Sequence, residues 1–268
     1  MLKLPGFKYL IRLAAGVAVA AVIAVGVQTP TKAAGDNLVI AFQADITSWD
    51  PSVNFPTGQG IFKSVFDAPL AQDNKLGYIP HVLTKWAYAE GDPLTMHIEM
   101  RDDVTFHNGD KMTMEDIKFS FFDRLSDEVH PIDFAGVWGA IADFEITSPT
   151  SATLHFGRPM ATVQEWWNFL GSYIVPKKYY TEVGHDAFIE NPVGSGPYKL
   201  IDYQRGSRIV LEAYDDYWGG APKIKRVTFE IITDAPARVA AVQSGNADVA
   251  VNVPIREAIR LNDVDGLT

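Results

Sequence analysis

An α/β fold is expected for this chain, and three stretches of it carry the expectation. From Val227 to Val251 the order strand, capped helix, strand describes a βαβ unit, which nearly always implies a parallel sheet with a right-handed crossover. From Leu94 to Leu125 an alternating strand runs through a tight turn into an amphipathic helix. Around the second of these, from about Thr84 to Asn191, short strands and helices alternate and predict a compact α+β subdomain.

The N-terminus carries Lys3, Lys8 and Arg12, an apolar run from Leu13 to Val27, and small residues around Thr31 to Gly35. That order is a secretory signal peptide, and the run is short for a bilayer span of about 20 residues. Cleavage is expected near Ala33 or Ala34. Removing Lys3, Lys8, Arg12 and Lys32 leaves 19 basic against 33 acidic residues, a net charge of −14, which disfavours nucleic acid as a partner. The chain has no cysteine, so disulfides, thiolate metal sites and cysteine nucleophiles are excluded. A lipid anchor on cysteine is excluded as well.

After the leader, Leu38 to Phe42 suits a buried strand, and Trp49-Asp50-Pro51 closes the following loop. Ile61, Val65 and Phe66 stand at helical spacing before Asp67-Ala68-Pro69-Leu70. Leu94, Met96, Ile98 and Met100 alternate with Thr95, His97, Glu99 and Arg101, the period of a half-buried strand. Asn108-Gly109 turns the chain because both residues tolerate positive φ. Thr113 with Asp116 forms a capping box, and Met114, Ile117, Phe121 and Leu125 line one face of a helix over 113–126. Strands over 141–147 and 152–156 and a helix near 161–170 complete the subdomain. Tyr198 to Tyr203 and Arg208 to Tyr214 predict a hairpin turning at Arg205-Gly206-Ser207. Asp234 caps a helix from Ala235 to Ser244, Gly245 ends it, and Asp248 to Val251 is the last strand.

Two of these stretches carry a resemblance. Arg101, Val104, Phe106-His107-Asn108-Gly109 and Glu115-Asp116-Ile117 followed by Phe119 to Arg124 resemble the signature of the family 5 extracellular solute-binding proteins. Members of that family serve ABC importers of peptides, nickel and glutathione. Asn108 stands where they usually have Asp, a change that keeps the turn. Asn191-Pro192-Val193-Gly194-Ser195-Gly196-Pro197-Tyr198 resembles the second hallmark, and Tyr217-Trp218-Gly219-Gly220 follows the hairpin as it does in relatives. The segments Gly77 to Trp86 and Gln243 to Val249 match softer family elements in the right order.

The resemblance implies a periplasmic binding protein of type II, a clamshell whose relatives are about twice this length. This chain looks like their first half. The implied layout is a signal peptide at 1–34, lobe I at 35–83, the α+β subdomain at 84–191, and the return of lobe I at 192–268, with the second lobe missing. Implied partners are a small-molecule or peptide ligand and the ABC permease subunits in the membrane, for a monomeric, periplasmic receptor. The loop after the signature helix faces the cleft in relatives, which makes His130 and Trp138 expected ligand contacts, and Phe55 in the early loop and Trp167 are the other aromatic candidates; stacking area and a few oriented donors hold a solute without chemistry.

Catalytic alternatives are thin. Histidines 81, 97, 107, 130, 155 and 185 show no His-Glu-x-x-His spacing, so neither a metal nor a cofactor is expected. His107, ahead of the turn, is expected to be structural. Gly194 and Gly196 flank Ser195 without the Lys-Ser/Thr pair of a phosphate loop or the elbow of a hydrolase. Asp102-Asp103 and Asp215-Asp216 are acid pairs in turns, the pattern of solvated loops more than of glycosidase carboxylates. An enzyme is not expected; a secreted hydrolase and a signalling or chaperone-like periplasmic protein are the alternative functions.

Overall fold

The computed structural model describes residues 36–53, 56–125, 135–168, 172–262 and 264. The signal peptide falls outside them. In chain order the strands and helices are β1 (Asn37–Phe42), α1 (Gln59–Val65), β2 (Leu70–Gln72), β3 (Tyr78–Pro80), β4 (Leu83–Ala89), β5 (Asp92–Met100), α2 (Met114–Lys118), α3 (Ala135–Trp138), β6 (Ile141–Ser148), β7 (Ser151–Phe156) and α4 (Val163–Trp166). They continue with α5 (Lys177–Val183), α6 (His185–Glu190), β8 (Tyr198–Gln204), β9 (Arg208–Ala213), β10 (Arg226–Ile231), α7 (Ala235–Gln243), β11 (Val249–Ala250) and α8 (Ile255–Leu261).

β11, β1, β10, β9 and β8 form one five-stranded sheet in that order. β1 runs parallel to both β10 and β11, while β9 and β8 join antiparallel as a hairpin. The βαβ unit expected at the C-terminal end is present, and its helix crosses over β1 to reach β11. Asp234 Oδ1 caps α7 by accepting from Ala237 N–H at 2.9 Å, and Gly245 leaves it at φ 74°.

β4, β5, β7 and β6 form a separate antiparallel sheet. Met96, Ile98 and Met100 point into its core as the alternation demands, but Leu94 precedes the pairing with β7 and is exposed. Gly109 turns at φ 88°, and Asp110 N–H donates to Asn108 Oδ1 at 3.1 Å. Met114, Ile117, Phe121 and Leu125 are all buried, as their spacing predicts. The signature helix is not uniform, however: after Lys118 it widens into a π turn from Phe119 to Asp123, with Arg124 N–H donating to Phe119 C=O. That turn brings Arg124 inward, where Nη1 donates to buried Asp50 Oδ1 at 2.9 Å.

Among the described residues there are two hydrophobic cores. One lies under the four-stranded sheet and includes Leu70, Val82, Leu83, Val104, Phe106, Phe144 and the signature stripe. The other lies against the five-stranded sheet and includes Trp49, Phe62, Phe66, Ile209 and Phe229. Tyr173, Val175 and Phe188 belong to this second core, with Tyr179, Tyr180 and Ile189 packed on it. The sequence placed residues up to 191 in the α+β subdomain; the stretch from Tyr173 packs on the other sheet instead. Phe188 is the reason, because it sits 4.9 Å from the Tyr180 ring and 6.4 Å from Phe66 at the end of α1.

Candidate functional site

The two hallmark motifs meet at the seam between the cores. His107 N–H donates to Gly194 C=O at 2.8 Å, its Nε2 bonds Gly196 C=O at 2.9 Å, and Gly194 N–H donates to His107 Nδ1 at 3.3 Å. The ring therefore carries its proton on Nε2 and is neutral. Burial, its largest influence, lowers the His107 pKa to about 4. Below the ring, Gly196 N–H donates to Val65 C=O at 2.9 Å. A Cβ on Gly194 would lie 1.9 Å from that carbonyl oxygen, and one on Gly196 would lie 2.7 Å from its carbon. These glycines are there because a backbone crosses the end of α1 in contact, and no phosphate cradle is involved.

Asp67 extends the same seam. It is buried, and its carboxylate accepts from Trp218 Nε1 at 3.0 Å, Tyr217 Oη at 3.2 Å and His81 Nε2 at 3.0 Å. Burial first, then the Asp67 charge, raises the Tyr217 hydroxyl pKa. The Arg101 guanidinium stacks on Trp218 at 3.6 Å from the ring centroid. The family-like residues Arg101, His107, Gly194, Gly196, Tyr217 and Trp218 thus hold the frame together.

Of the expected ligand contacts, Phe55 and His130 lie outside the described residues. Trp138 and Trp167 are buried in the larger core, 2% and 1% exposed, so neither presents ring surface to a ligand in this structure. Trp138 packs 5.0 Å from Phe121. The neighbour of Trp167 is placed differently. Trp166 is half-buried, and with Gln72, Tyr78, Glu165 and Asn168 it lines an open cavity of about 340 Å³. Adjacent residues in a helical turn point about 100° apart, so one Trp of the pair had to leave the core. Sequence alone did not say which.

This cavity joins the β2–β3 hairpin to α4. Asn168 is 9% exposed, and its Oδ1 accepts from Lys63 Nζ on α1 at 3.3 Å. Burial lowers the Lys63 pKa. Tyr78 has its pKa raised, by burial and by the nearby Glu165 charge. Aromatic walls with a few convergent polar groups suit a small solute. Tyr78 and Asn168 were not among the candidates read from sequence, because they come together only through the fold.

Two further cavities differ in kind. One of about 520 Å³ lies between the signature loop and α5, where Lys177 pairs with Glu115 at 2.7 Å and Lys178 with Asp110 at 3.5 Å. The other, about 490 Å³, is lined by Val239, Val242, Val249 and Leu261 among others. Among the described residues no group of three or more His, Cys, Asp or Glu side chains could hold a metal ion, and no helix is long and apolar enough to cross a membrane.

Comparison with known proteins agrees with this architecture. The family described as bacterial extracellular solute-binding proteins, family 5 Middle, matches residues 77–268. The glutathione-binding protein GsiB of Escherichia coli O6:K15:H31 (strain 536 / UPEC) is 26% identical over 252 residues, covering 89% of this chain and 47% of GsiB. The chain spans about half the length of the curated relatives it matches. Among solved structures, MoaA from A. tumefacien R10 in complex with mannopinic acid superposes with a TM-score of 0.78 at 25% identity, over 86% of this chain and 48% of that one. NikZ from Campylobacter jejuni in complex with Ni(L-His) gives 0.77 at 22% identity, over 86% and 46%, a likeness of fold. With the family matched across most of its length and the matched motifs forming the seam of a type II binding-protein fold, this chain belongs to the bacterial extracellular solute-binding proteins of family 5.

Proposed function

We propose that this chain is part of a periplasmic receptor that captures a small solute, peptides being the leading class, and delivers it to an ABC importer. The single observation that carries this reading is the family match over residues 77–268. The names of relatives support the class of partner: one solved neighbour is described as an ABC transporter-associated periplasmic binding protein in complex with a peptide. Other neighbours hold Ni(L-His) or mannopinic acid, so the ligand range is wide. Export rests on the leader at residues 1–34.

Capture in such a receptor is a shift of population toward a closed form, and the ligand drives it only by contacting that form better than the open one. A lobe carrying half of the contacts binds poorly alone. The test has two arms. Deleting the gene should abolish uptake of the cognate solute, and the product of the whole reading frame should gain thermal stability with one member of a panel of dipeptides, glutathione and nickel–histidine. The 268-residue chain should bind the same solute at least tenfold more weakly by calorimetry. Unchanged uptake together with no stabilisation by any panel member would overturn the reading; tight binding by the short chain would overturn its two-lobe mechanism.

A further inference from the structure

The signature turn holds the one Asn-Gly pair in the sequence, Asn108-Gly109. Asparagine is thermally labile because the backbone nitrogen of the next residue can attack its side-chain amide carbon. Where another residue follows, its side chain screens that nitrogen, as Lys75 does after Asn74 and Ala247 after Asn246. Asn191 is followed by Pro192, which has no N–H at all. Gly109 has no such screen: a Cβ built on it would meet nothing within 4 Å, and both residues of the pair are exposed.

The turn also sets up the carboxamide. Asp110 N–H donates to Asn108 Oδ1 at 3.1 Å, and Asn108 Nδ2 donates to Asp110 Oδ2 at 3.0 Å. Both ends of the carboxamide are thus tied to the residue after Gly109, which folds the side chain forward along the Gly109 peptide. An N–H on the carbonyl oxygen also favours the oxyanion that nucleophilic attack creates. One contact opposes the reaction: Gly109 N–H donates to Phe106 C=O at 2.8 Å and must be released before its nitrogen attacks. The pair is at the surface, so water and hydroxide reach that proton.

We propose that Asn108 is a site of spontaneous covalent modification, in which the turn delivers the asparagine side chain to the Gly109 nitrogen. A bond forms from Gly109 N to Asn108 Cγ, the Gly109 amide proton passes through solvent to the departing side-chain nitrogen, and ammonia leaves a cyclic succinimide. Water then opens the ring at one carbonyl or the other, giving aspartate or isoaspartate at position 108. Either product sets a new negative charge beside Asp110, which Lys178 Nζ at 3.5 Å offsets in part. Isoaspartate does more, since it routes the backbone through an extra methylene inside a loop closed by Phe106 N–H on Asp110 C=O at 2.8 Å. His107 lies within that loop, so its bonds to Gly194 are strained with it.

The test ages the folded 268-residue chain at mildly alkaline pH, digests samples with pepsin in acid, where the reaction stops, and follows each asparagine peptide by mass spectrometry. The Asn108 peptide should take on the mass of the acid at least about fivefold faster than the peptides of Asn74 and Asn246. Electron-transfer fragmentation should find isoaspartate as well as aspartate in it. Asp110→Ala frees the carboxamide and should slow the conversion at least about threefold. The variant is checked for a wild-type melting curve, and the comparison among wild-type asparagines decides whether or not it folds. An Asn108 peptide that ages no faster than the other two, a product that is aspartate alone, or an undiminished rate in the folded variant each overturns the proposal.

Discussion

At the scale of the residue, Gly196 shows how little freedom the seam has. Its amide reaches Val65 C=O at 2.9 Å only because nothing stands where a Cβ would be. Gly196→Ala must displace backbone and not merely a flexible side-chain end, so a loss of more than about 3 kcal/mol is expected, at the severe end for a point change. A urea melt checks it: a loss under about 1 kcal/mol would mean that α1 and the second hallmark yield more easily than they pack. From sequence the phosphate-loop reading of this glycine pair already failed for want of a Lys-Ser/Thr pair. What the pair packs against, Val65 lying 131 positions away from Gly196, no local pattern encodes.

At the scale of the element, Asp116 does more than its capping box announced. Its Oδ2 accepts from Thr113 N–H at 2.8 Å, as the spacing predicts, while its Oδ1 accepts from Lys177 N–H at 2.9 Å. One carboxylate thus holds the starts of both α2 and α5. Asp116→Ala should cost about 2–4 kcal/mol, against about 1 kcal/mol for Thr113→Ala. Equal losses in thermal melts would show that the bond to α5 contributes nothing. The periodic elements were legible because period reports which face is buried: β5 and the signature stripe came from it, while α7 was bounded by its Asp234 cap and Gly245. The π turn was not legible, since its extra residue leaves the apolar spacing intact. Nor was the attachment of α5 and α6, because Tyr179, Tyr180 and Phe188 are apolar toward whichever core the chain brings near. The cavity beside α4 was not legible either, as its residues come from elements far apart in sequence and period does not say which of Trp166 and Trp167 leaves the core.

At the scale of the whole molecule, His107 links stability to acidity. Its folded pKa of about 4 lies below the ordinary 6.5, so the unfolded chain binds the proton first as pH falls. The contribution of neutral His107 is complete above 6.5 and is lost as pH drops from there toward 4, up to about 3 kcal/mol. Protonation would also set an N–H on Nδ1 against the Gly194 amide. Lys199 nearby opposes the charge and Asp67 favours it, both after burial. His107→Gln keeps a neutral donor, so its melting temperature should fall less steeply than the wild type between pH 7 and pH 4. Parallel pH curves for the two proteins would remove His107 as the cause.

The order of the larger sheet sets a timetable. β1 stands near the start of the chain, yet both of its ladders come from β10 and β11, about 190 and 210 residues later. A ribosome delivers those partners long after β1 itself. Until β10 has emerged, Leu38 to Phe42 has no strand to pair with, and β11 closes its other edge only once Ala250 follows. A strand kept waiting so long for its partners is an open edge in the nascent chain, and whatever meets it before β10 arrives competes with the native ladder.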